Sequence, residues 1–279
     1  MSVDEVLQQY AAGERNFQNV NLMGANLAGL DLSQANFRGA NLQSANLHRA
    51  NLQEVNLREA NLQQANLYQA DLRNTNLIGV NLTGAKLLNL QFNGSNLRGV
   101  NLGNLDLTGV DFSEANLNET NFRGANLSGA KFLEACLSRA NCTDANLTAA
   151  VLENANLNNA ILNGAILRNA NLNNAILNGA TLENANLQEA SLNRTRLSGA
   201  TLTNADLSGA NLRGANLSWA TLRGANLSRA NLYRTNLNWA NLTAAILSDA
   251  VLMNAKLVQT NLRDADLTGV IMPDGATYD

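Results

Sequence analysis

Residues 160–187 read "AILNGAILRNANLNNAILNGATLENANL", with leucine at 162, 167, 172, 177, 182 and 187. A core-facing helix repeats its apolar positions about every 3.6 residues and a half-buried strand every 2, so a period of five belongs to neither. The register runs outward in both directions without an insertion. From Phe17 to Met272 it spans 52 central positions, which hold 44 Leu, 6 Phe, Cys142 and Met272. Two residues earlier, Ala fills 36 of the 52 places. Asn or Asp dominates the place between, and two mixed polar residues follow, Gly often among them. The unit is Ala-Asn-Leu-x-x.

Residues two apart in an extended chain point to the same side. Ala and Leu of each unit therefore face inward, with Asn between them facing out. The two residues that follow suit a tight turn. A short extended piece and a right-angle turn, repeated four times, close a square of 20 residues. Stacked squares pair their backbones coil to coil, which satisfies the main chain around a leucine interior. Phe17 and Phe37, the set Phe92, Phe112 and Phe132, and Trp219 and Trp239 all recur at spacings of 20, placing rings on common columns. The identical stretches at 154–165 and 169–180 are offset by 15, so the pentapeptide is the copied unit.

A small residue, then Asn or Asp, then Leu or Phe, then two polar residues: over about residues 15–274 the chain resembles the pentapeptide-repeat family. That resemblance implies an all-β fold, a right-handed quadrilateral β-helix of about 13 coils for 52 units. Residues 1–14 read as an N-terminal capping α-helix. Ser2 and Glu5 stand at capping-box spacing, Val3, Val6, Leu7, Tyr10 and Ala11 form a stripe, and Gly13 is the stop. Residues 15–274 read as one uninterrupted repeat domain and 275–279 as a C-terminal tail after Pro273 and an Asp-Gly turn. Both ends resemble those of cyanobacterial members, some of which regulate heterocyst differentiation by contacting regulatory proteins.

The 22 acidic and 19 basic residues leave a net charge of −3, too mild to point to nucleic acid. Asp4 and Glu5 sit where a signal peptide needs a basic start, and no apolar run is long enough for a membrane span. Two cysteines, Cys136 outward and Cys142 inward, suit a reducing compartment. The expected location is the cytoplasm.

One histidine, His48, and no cysteine or carboxylate cluster at ligand spacing leave no metal site. No glycine loop between strand and helix cradles a phosphate. A leucine-filled square has no room for a pocket, so the expectation is a non-enzyme without cofactors. Function must then lie on the outer faces. Two columns of Asn, from Asn21 to Asn141 and from Asn16 to Asn116, read as amide ladders joining coils. Acidic side chains from Asp31 to Glu153 gather on one face, and Arg15, Arg38, Arg58, Arg98 and Arg139 on the next. Charge can neutralise around that corner or orient a partner.

Two functions compete. The first is a scaffold or regulator that binds a protein partner along a rigid face. The second, implied by the resemblance, is a nucleic-acid mimic binding a type II topoisomerase such as DNA gyrase. That role calls for a strongly acidic surface, which this chain lacks. Candidate partner-binding residues are Arg194, Arg196, Trp219, Tyr233, Arg234 and Trp239. Between 194 and 234 lie six Arg and one acid, Asp206. Trp, Tyr and Arg are the types enriched at interface hot spots. The competing reading has the indoles cover each other while Arg stems pack across them. The chain is expected as a monomer or as an end-to-end dimer through its C-terminal coil.

Overall fold

Why five residues suffice for a repeat is clear from where their five amide groups go. A computed structural model describes residues 1–278, Tyr278 by its backbone alone. In the unit Asn186–Ala190, the Asn186 amide donates to the Ala165 carbonyl one coil back at 2.9 Å. The amides of Leu187 and Glu189 donate to Asp206 and Ser208 one coil on, and that of Ala190 to Leu187 across its own turn. The fifth, on Gln188, is taken by the Asn186 side-chain oxygen at 3.1 Å. All five donors are satisfied within the stack. This is the reason for Asn or Asp before the central residue: its side chain closes an Asx turn on the amide two residues ahead. Where that residue is Ser191, Arg196 or Lys256, an Asn 20 residues back supplies the oxygen instead: Asn173 to Asn193, Asn178 to Ser198 and Asn238 to Val258.

Parallel bridges join residues 20 apart, such as Asn21 to Asn41 and Ile166 to Asn186, so four pentapeptides complete each coil. Each turn places its second residue at positive φ, near 65–70° at most of the glycines and 55–63° elsewhere. A turn with only this residue at positive φ is type II, which favours Gly and Asn. The Asn amides do stack between coils, as with Asn41 to Asn21 at 3.1 Å and Asn236 to Asn216 at 3.1 Å. Thr in the small place keeps its hydroxyl buried and bonded, Thr195 Oγ1 donating to the Leu172 carbonyl at 2.9 Å.

The chain comprises two compact units, Met1–Cys136 and Leu137–Asp279. The first opens with α1 (Val3–Ala11), whose Ser2 and Glu5 form a complete capping box. It ends in a Schellman motif: Glu14 donates to the Gln9 carbonyl and Gly13, at φ 99°, to Tyr10. Of the apolar stripe only Val6 is fully buried. Tyr10 rests on Phe17 at 6.5 Å and its hydroxyl donates to the Ser33 carbonyl, while Leu22, Leu27 and Leu32 beneath are buried. The rings stack as their spacing predicts, Phe92 on Phe112 and Phe112 on Phe132 at 5.2 Å. Among the described residues, the ladder parts once inside this unit: Asn81 and Lys86 lack bridges to Asn101 and Asp106, and pairing resumes at Gln91–Asp111.

In the second unit the bridges run from Asn141–Ile161 to Val251–Ile271. It closes with a hairpin, where the sequence predicts a tail at 275–279 after Pro273 and an Asp-Gly turn. There β1 (Val270–Ile271) pairs antiparallel with β2 (Thr277–Tyr278), turning through Pro273, Asp274 and Gly275. Val270 is buried, yet the central Leu257, Leu262 and Leu267 of this end remain partly exposed.

Candidate protein-binding surface

The leucine and alanine interior contains no unsatisfied buried polar side-chain atom among the described residues. Burial pushes the Cys142 thiol up to about 12, which keeps it protonated and unreactive. No group of three or more His, Cys, Asp or Glu among the described residues is placed to hold a metal ion. His48 stacks on Tyr68 at 5.4 Å. What remains chemically distinctive lies on the outside.

Among the described residues of the first unit, three of four salt bridges join turn residues at one corner. Arg38 and Arg58 both meet Glu59, at 3.1 and 3.0 Å, and Arg98 meets Glu119 at 3.1 Å. Arg73 meets Asp71 at 2.7 Å. The Glu59 carboxyl is held below the usual range by bonds from Arg58 and Arg38. The Arg–Glu pairs are exposed, so each is worth little.

The second unit is different. Trp219 and Trp239 stack at 4.9 Å with their planes 3° apart, and remain 62% and 48% exposed. Both occupy the left-handed turn position, at φ 61° and 63°. Bulky residues rarely adopt that backbone, which costs about 1–3 kcal/mol each. Gln, Glu, Arg, Ser and Ala share this backbone at other turns, so the left-handed conformation belongs to the repeat and the exposed indole pair is what is particular here. The molecule thus holds two large indoles in water on strained backbone.

Five residues before Trp239, at the other edge of the same face, is the corner carrying Arg194, Gly214 and Arg234 in successive coils. Arg213 precedes Gly214, and Tyr233 precedes Arg234. The guanidinium groups of Arg213 and Arg234 each lie 5.1 Å from the Tyr233 ring centre. An open groove of about 540 Å³ runs here, lined by Arg194, Arg213, Gly214, Arg234, Glu153 and three Asn. Arg196 lies apart from it, on the strand between the two corners, bridged to Ile176 and Asn216. Among the described residues, none of these four Arg forms a salt bridge, and no guanidinium lies over an indole. Of the expected site residues, Arg194, Tyr233 and Arg234 come together and the two Trp form a second cluster. The sequence reading did not single out Arg213 and Gly214. Offsets of 20 residues would have found them, since Arg213 stacks above Tyr233 and Gly214 separates Arg194 from Arg234.

The pentapeptide-repeats (8 copies) family model matches residues 16–53, 40–77, 50–89, 75–113, 106–141, 140–179, 165–204, 175–214, 202–238, 210–249 and 235–273. Among solved structures, the chain is 33% identical to HetL, a pentapeptide repeat protein involved in heterocyst differentiation regulation in the cyanobacterium Nostoc sp. strain PCC 7120. That similarity covers 100% of both chains with a TM-score of 0.25. A pentapeptide repeat protein of the Arabidopsis thaliana thylakoid lumen is 30% identical over 34% of this chain and 66% of its own, with a TM-score of 0.32. QnrB1, a plasmid-mediated fluoroquinolone resistance protein, is 18% identical over 91% of this chain and 90% of its own, with a TM-score of 0.42. No curated protein matches the chain. A register of five kept from Phe17 to Met272, bridges at 20 residues and a family match along nearly the whole sequence agree: the chain belongs to the pentapeptide-repeat family, whose members form right-handed quadrilateral β-helices.

Proposed function

We propose that this protein is a non-enzymatic scaffold or regulator that binds a protein partner through the face of its second unit bounded by the arginine corner and the tryptophan corner. The observation that carries the reading is the Trp219–Trp239 stack, exposed and on left-handed backbone. Two stacked indoles left in water offer apolar area that a partner would cover, and Trp with Arg and Tyr is the composition of an interface hot spot. The interior of Leu and Ala serves rigidity, and a solenoid needs no pocket for this role. The repeat is read as 13 coils over residues 15–274 with α1 as its N-terminal cap. The setting is taken as the cytoplasm of a cyanobacterium-like cell, which two free cysteines suit.

Replacing Trp219 and Trp239 together with Asn keeps a residue type already common at positive φ. Recovery of the native partner on the tagged double variant should fall sharply while circular dichroism stays unchanged. Full recovery would remove the basis of the proposal. The competing topoisomerase mimic is tested by a gyrase supercoiling assay. The near-balanced charge predicts no inhibition at low protein concentration, and potent inhibition would reverse the order of the two readings.

A further inference from the structure

The arginine corner differs from the other charged places on the molecule in having three cations converge on a gap. Successive coils stand about 4.8 Å apart. Arg194 and Arg234, two coils apart, are therefore separated by roughly 10 Å at their backbones, with Gly214 between them offering no side chain. A Cβ on Gly214 would meet only the Arg194 stem, at 3.7 Å. The gap is real space. Tyr233 holds the Arg213 and Arg234 guanidinium groups against its ring, so two like charges are kept together without a carboxylate between them. Glu153, the one acid of the groove, already accepts from the Asn171 amide at 3.2 Å. Asn173, in the same lining, has its oxygen taken by Ser191 and by Asn193, so the group it can offer is its NH₂. Asp206 is engaged elsewhere, by Ser208 and Gln188. The groove sets three guanidinium groups against one carboxylate and so carries a net positive charge. At about 540 Å³ it exceeds what a single oxyanion needs.

We infer that this notch is the docking point for an acidic protein segment, whose clustered carboxylates seat among Arg194, Arg213 and Arg234. The inference deepens the protein-binding reading of this face by naming the chemistry of the partner. Paired Arg–carboxylate contacts are the strong, geometrically specific form of such recognition.

The test uses the purified full chain, a fluorescently labelled hexaglutamate peptide, and anisotropy as the readout. Saturable binding is expected, weakening as salt rises. The triple variant Arg194→Ala, Arg213→Ala, Arg234→Ala should lose at least tenfold in affinity. A control removing the same charge elsewhere, Arg223→Ala, Arg229→Ala, Arg263→Ala, should bind as the parent does. Gly214→Asp places a carboxylate in the notch. Asp is already accepted at positive φ at 144, 249 and 264, so this variant should fold and should lose peptide binding. Equal loss in the control triple would show that only net charge matters, and would overturn the inference. So would unchanged binding by folded Gly214→Asp. Displacement of the peptide by inorganic phosphate or by duplex DNA at lower charge concentration than by free hexaglutamate would assign the notch to phosphate instead. The Trp219, Trp239 double variant should still bind hexaglutamate, so failure of the notch and failure of the wider face are told apart.

Discussion

Residues 75–110 of the first unit and residues 140–190 of the second are built on the same repeat, and they pack differently. In the second stretch every small inward place is Ala, and the bridges follow one another from Asn141–Ile161 onward. In the first, the small places run Thr75, Val80, Ala85, Leu90, Ser95, Val100, Leu105 and Val110, with one Ala among them. There the ladder parts between Asn81–Lys86 and Asn101–Asp106. Grooves of about 530 Å³, at His48, Tyr68, Lys86, Leu88 and Asp106, and about 500 Å³, at Leu90, Gln91, Asp111 and Lys131, open beside it. Leu105 is pushed partly out of the interior while Leu90 stays in. The physical account is overpacking. The square interior leaves room for one large and one small side chain per unit, and extra methylenes there force coils apart. Alanine is therefore as much a determinant of the fold as leucine.

The largest effect should follow from damage to the well-packed stretch. Leu167 is fully buried, so Leu167→Ala should cost about 2–5 kcal/mol in a denaturant titration. Leu167→Asp should cost more, having no partner for its charge. Leu87→Ala, beside the parted ladder, should cost less than Leu167→Ala, because neighbouring coils there can collapse onto the gap. Equal losses would mean that the seam has no bearing on packing.

The reciprocal exchange sharpens the account. Ala165→Leu should recreate the overpacked situation and destabilise by about 1–3 kcal/mol. Leu105→Ala should let the first unit pair across Asn81–Asn101 and Lys86–Asp106. Hydrogen exchange reads both: the Leu82 and Leu87 amides should exchange faster than those of Leu162 and Leu167 in the parent, and slow down in Leu105→Ala. Continued fast exchange at Leu87 in that variant would point away from overpacking.

Acid sensitivity is a smaller effect present in both units. The Ser33 amide and hydroxyl hold the Asp31 carboxyl below its usual range. Burial raises that of Asp206, but the Ser208 amide and hydroxyl and the Gln188 amide outweigh it, and the net shift is downward. A carboxyl lowered in the folded state contributes stability in full above its unfolded value, about pH 4, and loses it as pH falls through the folded value. Melting should thus be steady near neutrality and decline below about pH 4. Asp206→Asn keeps the Asx acceptor without the charge, and should flatten part of that decline. An unchanged acid slope would count against the assignment.

The smallest change expected is a gain. Trp219→Gly relieves left-handed strain and should raise stability by up to about 1 kcal/mol, offset in part by the lost ring stacking. A clear fall in melting temperature would show that the Trp pair is structural.

The period of five, the inward Leu and Ala, the outward Asn and the turn residues were all legible in the sequence, because each depends on neighbours within one unit. The stacking of Phe92, Phe112 and Phe132, and of the two Trp, was legible too once a coil of 20 residues was assumed, since identical units keep identical register. The capping box of α1 was local in the same sense. Tertiary structure decided what depends on two or more coils at once. It parted the ladder at Asn81–Asn101, where the summed volume of several small places matters more than any one residue. It brought β2 back onto β1, a pairing that no period announces. It also gathered Arg194, Arg213 and Arg234 around Gly214, residues that are scattered along the chain yet adjacent wherever coils stack one strand spacing apart.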